Sequence, residues 1–216
     1  MYAFAPEKIP SLVGRNFCLA MASQKVRPTV LTPAVFLDRD GTLNVEKNYL
    51  YLPEDFEFIP GTPAAIRRLN RAGFKVFVVT NQSGVARGYF SLEDVERLHR
   101  HIADRLAKAG AQIDGFYVCP HHPTEGQGSY VGECDCRKGA PGLLLKAAEE
   151  HRIDLGRSFM VGDKEADIEA GERAGCTPLL VLTGYGTATA EKVAPERARR
   201  FADLSAAVDW ILELGG

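Results

Sequence analysis

Residues 34–42 read AVFLDRDGT, and the change inside this stretch from four apolar residues to Asp38-Arg39-Asp40-Gly41 decides the fold class. A short apolar run bounded by turn residues is the pattern of a strand buried on both faces. It ends in two carboxylates at i and i+2, and Gly41 lets the chain turn just after them, so that both can address one point. The pattern recurs. KVFVV at 75–79 runs into Thr80-Asn81-Gln82-Ser83-Gly84, an apolar run at 115–118 into Cys119, and SFMV at 158–161 into Gly162-Asp163. A fifth strand is predicted over 178–182.

Between these runs the apolar spacing predicts helices over 62–72, 91–109, 141–151, 165–174 and 204–214. Their ends carry local signals: Pro63 in a first turn, Ser91 with Asp94 three residues on as a capping box, and Gly73, Gly110 and Gly175 as stops. The alternation predicts an α/β fold, a three-layer Rossmann-like parallel sheet with helices on both faces. Ligands of such sheets bind outside the carboxyl ends of the strands. Asp38, Thr80, Cys119 and Asp163 all fall there. Residues 1–33, broken by Pro6, Pro10, Pro28 and Pro33, read as an N-terminal arm, with Met21 as a second candidate start; residues 34–216 read as one domain.

The chain has 216 residues, 45% apolar and 25% charged, with a formal net charge of −2. That is the composition of a globular protein able to bury a full core without disulfide staples. No global basic field calls for nucleic acid or an anionic membrane surface. No apolar run approaches the roughly 18 residues of a membrane-spanning helix, and the short apolar stretch at 17–22, preceded by Arg15 and Asn16, is a poor secretory signal. Five cysteines, three of them within 119–136, do not form a disulfide framework and favour a reducing cytoplasm. The expectation is a cytoplasmic monomer with neither a nucleic-acid nor a membrane partner.

Each strand end carries its own chemistry. A Thr80 hydroxyl followed by a glycine-bearing polar loop offers donors to an anion. Arg137-Lys138, just ahead of a helix start, suits an arriving phosphate. Asp163 is a natural ligand for a hard cation. In this order DRDGT, TNQSG, Arg137-Lys138 and GDKEAD resemble the motif set of the haloacid dehalogenase superfamily of phosphotransferases. The resemblance implies Asp38 as the nucleophile that takes the phosphoryl group. It implies Asp40 as general acid and then general base, and Mg²⁺ held by Asp38, the backbone carbonyl of Asp40 and Asp163. Thr80 and Lys138 would hold the transferring oxygens, with Asp167 in support. Asp40 would then need a raised pKa to start protonated.

Cys119-Pro120-His121 and Cys134-Asp135-Cys136 stand 12 residues apart. Three thiolates and an imidazole suit a tetrahedral structural Zn²⁺. The intervening 122–133 segment has little apolar content with which to fold itself, and a metal there would position Lys138. FLDRDGTLN, TNQSGVARG, the C-x-H…C-x-CRK loop and GDK together resemble, over 35–186, the D-glycero-D-manno-heptose 1,7-bisphosphate 7-phosphatase family, with histidinol-phosphate phosphatases as near relatives. The substrate so implied is a small phosphorylated metabolite: a sugar bisphosphate first, then histidinol phosphate or another sugar phosphate. Its contacts would be Glu46, Lys47, Asn48, Tyr49, Asn81, Gln82, Ser83, Gly84, Arg137 and Lys164, the second phosphate falling to Arg137 and Lys164. Gly139-Ala140 stands where the family commonly has a proline, so a looser approach of Lys138 is expected. Only 39 residues separate Asp40 from Thr80 and 56 separate Asn81 from Lys138, which leaves no room for a large cap domain. A phospho-acceptor signalling domain is the reading from another class. It is disfavoured because the acceptor candidate shares its strand end with a second acid able to hydrolyse the intermediate.

Overall fold

A computed structural model describes residues 31–214, and in it six strands form one parallel sheet in the order β3-β2-β1-β4-β5-β6. They are β1 (Ala34–Leu37), β2 (Lys75–Asn81), β3 (Gly115–Cys119), β4 (Phe159–Gly162), β5 (Thr177–Val181) and β6 (Arg199–Phe201). The helices are α1 (Thr62–Arg71), α2 (Leu92–Lys108), α3 (Gly142–His151), α4 (Glu165–Ala174), α5 (Gly186–Ala190) and α6 (Leu204–Leu214). The strand order reverses between β1 and β4, which pair in register Val35↔Phe159, Phe36↔Met160 and Leu37↔Val161. A doubly wound sheet opens its ligand crevice at that switch point, and here it is flanked by Asp38 and Asp163.

Alternation along each strand builds two core layers. Val35 and Leu37 of β1 and Val76 and Val78 of β2 face α1, α2 and α6 through Ile66, Leu69, Leu98, Ile102 and Ile211. Ala34, Phe36, Phe77 and Met160 face α3 and α4 through Leu143, Leu144, Ala147 and Ala170. Buried strands that are apolar on both sides must be covered on both sides, and this places the helices.

The predicted elements are present with ends shifted by one or two residues. β2 runs on through Thr80 to Asn81, and the capping box of Ser91 and Asp94 opens α2. β6 and α5 were not expected: Arg199-Arg200-Phe201 is too short and too charged to read as a strand, and Gly186–Ala190 carries no apolar period. The arm predicted for 1–33 lies outside the described residues up to 30; Thr32 already pairs with Ile153 and belongs to the compact unit that starts at Leu31. Among the described residues no helix is long and apolar enough to cross a membrane.

Candidate active site

The turn after β1 builds the floor of the site. The Asp38 N–H donates to the Val161 carbonyl at 2.9 Å, which ties the end of β1 to β4. The Arg39 carbonyl then accepts from the N–H groups of Leu43 and Asn44, curling the chain. Gly41 has φ +88°, and a Cβ there would collide with the Asp163 carboxylate, so this turn requires glycine for both conformation and space.

Asp38, Asp163 and Asp167 are buried and offer oxygens that all lie within 4.8 Å of one another. The ammonium of buried Lys138 pairs with Asp38 Oδ1 and, at 2.7 Å, with Asp167 Oδ1. Burial works against the lysine charge, but Asp167 and Asp38 hold its pKa above the ordinary value. The other Asp167 oxygen accepts the Lys164 N–H at 2.9 Å and opens α4. Asp163 Oδ2 accepts the Tyr185 N–H at 2.8 Å, while its Oδ1 is buried with no hydrogen-bond partner among the described residues. Burial, with the Asp38 charge beside it, pushes Asp163 up to about 8. An orphaned carboxylate oxygen among three crowded hard donors is what a divalent cation such as Mg²⁺ fits.

Asp40 departs from expectation. Burial alone would raise its pKa, but the Arg39 charge and hydrogen bonds from Asn44, Arg39 and Gln82 outweigh burial and hold it below the ordinary carboxylate value. Arg39 Nε and Nη2 reach Asp40 Oδ2 at 3.1 and 2.8 Å, and Asn44 Nδ2 reaches Oδ1 at 3.0 Å. Gln82 Nε2 bridges Asp40 Oδ2 at 2.9 Å and Thr80 Oγ1 at 2.8 Å. With that lone pair occupied, the threonine hydrogen is left to donate to a ligand.

Arg39 and His99, like the cavity-lining Tyr185, are residues that the sequence did not single out. Arg39 is fully buried; it also donates to the Leu50 carbonyl at 2.9 Å and meets His99 Nε2 at 3.4 Å. The signals were present: Arg39 is two residues beyond Leu37 and so shares its inward face, and His99 sits on the apolar stripe of α2 with Val95, Ile102 and Leu106. Burial and the Arg39 charge, opposed by Asp40, lower the His99 pKa from 6.5 to about 3. The unfolded chain therefore takes up a proton between those values that the native chain refuses, and stability falls as pH drops below 6.5. The expected contribution at pH 5 is about 2 kcal/mol. Urea titrations of His99→Gln should show that much less loss between pH 6.5 and 5 than the unaltered protein; equal losses would refute the buried neutral imidazole.

Cys119, His121, Cys134 and Cys136 converge at the end of β3. Sγ–Sγ separations are 3.6 Å (119–134) and 3.3 Å (134–136), and His121 Nδ1 lies 3.7 and 3.3 Å from the Cys119 and Cys136 sulfurs. These are close to the edges of a tetrahedron about a metal with bonds of about 2.3 Å, and far too long for disulfides. Burial pushes the Cys119 and Cys136 thiols up, a cost that metal ligation would reverse. Cys176 is a buried core thiol; Cys18 lies outside the described residues.

A cavity of about 290 Å³ gathers most of the predicted residues: Asp38, Asp40, Glu46, Asn48, Tyr49, Thr80, Asn81, Gln82, Ser83, Lys138, Lys164 and Asp167, with Tyr185 in addition. Asp163, Lys47, Gly84 and Arg137 do not line it; Asp163 is fully buried. Lys47 turns to the Asp55 carbonyl at 2.7 Å, Gly84 packs beneath Phe90 and Tyr49, and Arg137 binds the His121 carbonyl at 2.9 Å beside the metal loop. The Asn81 amide spends itself on Lys138, accepting its N–H at 2.9 Å and donating to its carbonyl at 3.4 Å. Lys138 is thus held firmly, and the looser approach expected from Gly139-Ala140 is not seen.

A family model described as HAD-hydrolase-like matches residues 135–207. The D-glycero-D-manno-heptose-1,7-bisphosphate 7-phosphatase of Thermosynechococcus vestitus is 45% identical over 186 residues, which cover 83% of this chain and 95% of that protein. The chain belongs to this family. The D-glycero-beta-D-manno-heptose-1,7-bisphosphate 7-phosphatase of Pasteurella multocida is 49% identical over 152 residues, covering 70% of this chain and 82% of that one. A crystal structure of D,D-heptose 1,7-bisphosphate phosphatase from B. bronchiseptica, complexed with magnesium and phosphate, superposes with a TM-score of 0.76 at 35% identity, covering 85% of this chain and 99% of that chain. Membership in the heptose-bisphosphatase family makes the chain a Mg²⁺-dependent phosphatase of the haloacid dehalogenase type and retires the signalling alternative.

Proposed function

We propose that the enzyme removes the 7-phosphate of D-glycero-D-manno-heptose 1,7-bisphosphate through a phospho-Asp38 intermediate, and that its metal loop carries zinc. The observation that carries the chemistry is the convergence in one cavity of Asp38 on Lys138 with Asp40 on Arg39 and Gln82. The names of the relatives carry the substrate.

Phosphate monoesters are inert enough that the site must lower the barrier by on the order of 20 kcal/mol. Mg²⁺, held by Asp38, Asp163 and the Asp40 carbonyl with Asp167 in support, would supply charge neutralisation to the phosphoryl oxygens. Lys138 and the free Thr80 hydrogen hold those oxygens. Asp38 attacks phosphorus, and the bond to the sugar oxygen breaks. Asp40 gives that oxygen a proton. Asp40 rests ionised, so it takes up this proton from solvent as the phosphate dianion arrives beside it and raises its affinity. Asp40 then takes a proton from the water that attacks phospho-Asp38, and Asp38 is restored as inorganic phosphate leaves.

Cys119, His121, Cys134 and Cys136 would hold zinc and fix the loop that ends at Lys138. This suits a reducing cytoplasm, where the enzyme would act as a monomer. Elemental analysis should find one zinc per chain. Replacing Cys134 and Cys136 by serine should abolish it and lower Tm by about 10 °C, or roughly 3 kcal/mol. Zinc-free protein of undiminished Tm would sink the assignment.

Substrate choice is tested by kcat/KM with Mg²⁺ for both heptose 1,7-bisphosphate anomers, fructose 1,6-bisphosphate and histidinol phosphate. A preference of about 100-fold, or 2.7 kcal/mol in transition-state binding, is expected for one heptose anomer. A flat profile would leave the chemistry standing and reject the substrate.

A further inference from the structure

Four side chains close a ring at the mouth of the cavity. Glu46 Oε1 accepts the Asn48 N–H at 2.9 Å. Asn48 Oδ1 accepts the Tyr185 hydroxyl at 3.3 Å. The Tyr185 ring carries the Lys164 ammonium 4.8 Å from its centroid, and that ammonium returns to Glu46 Oε2 at 3.3 Å. The ring crosses from the 44–60 segment to the loop after β5. Its near corner is strained: Asn48 and Tyr49 have φ of 47° and 56°, a conformation that side chains with a Cβ seldom adopt. Consecutive residues hold it only when their surroundings over-determine it, and the bonds to Glu46 and Tyr185 do so.

Tyr185 belongs to no motif read from the sequence, yet it touches both halves of the site. Its N–H fixes the catalytic-side Asp163, while its ring and hydroxyl face outward with 45% of the residue exposed. Lys164 lies 3.9 Å from Asp163 Oδ1 as well, so a free side chain has an inward, buried acid to fall upon. The aromatic face and Glu46 keep its ammonium at the mouth instead. Arg137, the other cation expected to read a second phosphate, is engaged with the His121 carbonyl and does not line the cavity.

We infer that Tyr185 is a specificity-determining residue: by closing this ring it presents Lys164 to the phosphate that is not transferred. The inference rests on the proposed sugar-bisphosphate substrate. Its measure is the ratio of kcat/KM for heptose 1,7-bisphosphate to that for the matching heptose 7-phosphate. In the unaltered enzyme this ratio should be well above one; a ratio near one rejects the bisphosphate reading and the inference with it. Given a high starting ratio, Tyr185→Leu should lower it about fivefold, through the KM of the bisphosphate. Tyr185→Phe keeps the aromatic face, loses the bond to Asn48, and should lower it by about half that factor. In a Lys164→Met background Tyr185→Leu should cause no further fall, because the residue acts through the lysine. An unchanged ratio in Tyr185→Leu, or losses that multiply in the double variant, would overturn the role of Tyr185 while leaving the bisphosphate substrate intact.

Discussion

Asp38→Asn should reduce phosphate release at least 10⁴-fold, equivalent to about 5.4 kcal/mol of transition-state stabilisation, while making the metal-free protein more stable. The first half follows from chemistry, since an amide does not accept a phosphoryl group as a carboxylate does. The second follows from charge. Asp38, Asp163 and Asp167 crowd one buried corner, and the Asp163 carboxyl, pushed up to about 8 by burial and by Asp38, records the strain of holding them together. A group whose pKa is raised on folding costs stability above its unfolded value. Removing the Asp38 charge relieves that cost, and Lys138 keeps Asp167 at 2.7 Å. A gain of about 1 kcal/mol, or 2–4 °C in Tm, is expected in the presence of a chelator. Added Mg²⁺ should raise the Tm of the unaltered protein more than that of the variant. A variant that turned over normally would dispose of the nucleophile assignment; one that melted earlier without metal would dispose of the charge argument.

Arg39→Met is expected to be the most damaging single change away from the reacting atoms. Its guanidinium is fully buried and donates to Asp40 through two nitrogens and to the Leu50 carbonyl through one of them. Methionine fills much of the volume but leaves a part-buried carboxylate facing only the amides of Asn44 and Gln82. Breaking a buried pair from one side costs about 3–5 kcal/mol, read as a fall of about 10 °C in Tm. The Leu50 bond also anchors the segment that carries Glu46 to Tyr49. Activity at a temperature where the variant is folded should therefore drop about 100-fold, the usual penalty for a displaced catalytic group. Arg39→Lys restores charge without the fork and should recover part of the stability but little of the rate. Full activity in the methionine variant would show that Asp40 needs no such clamp.

The fold was legible because each strand declares itself twice, as an apolar run and as the polar residue that follows it. β6 declares neither, and a three-residue edge strand is held by its neighbour, not by its own pattern. The cavity was legible for the same reason: the topology brings four strand ends to one edge. What stayed hidden were residues whose importance lies in partners far along the chain. Arg39 reads as a spacer between two acids until Leu50 and His99 are seen against it. Asn81 reads as a ligand-binding amide until its two bonds to Lys138 are seen. The mistaken expectation for Asp40 has the same source: it followed from the need of a general acid for a proton, with no sight of the buried arginine beside it. Tyr185 lies in a loop with no pattern at all, and only the closed contacts at the cavity mouth single it out.

Ala34 and Ser158 sit 124 positions apart, yet the Ala34 N–H donates to the Ser158 hydroxyl at 2.9 Å, at the foot of the paired β1 and β4. The central seam of the sheet is thus the join between the first and second halves of the chain. Closing so long a loop is slow compared with the local steps that form helices. The carboxylates at the far end of that seam cannot face each other until it has zipped. Recovery of phosphatase activity after denaturation therefore reports the completed topology, and a ribosome-bound chain ending before β4 is a sheet half without a catalyst.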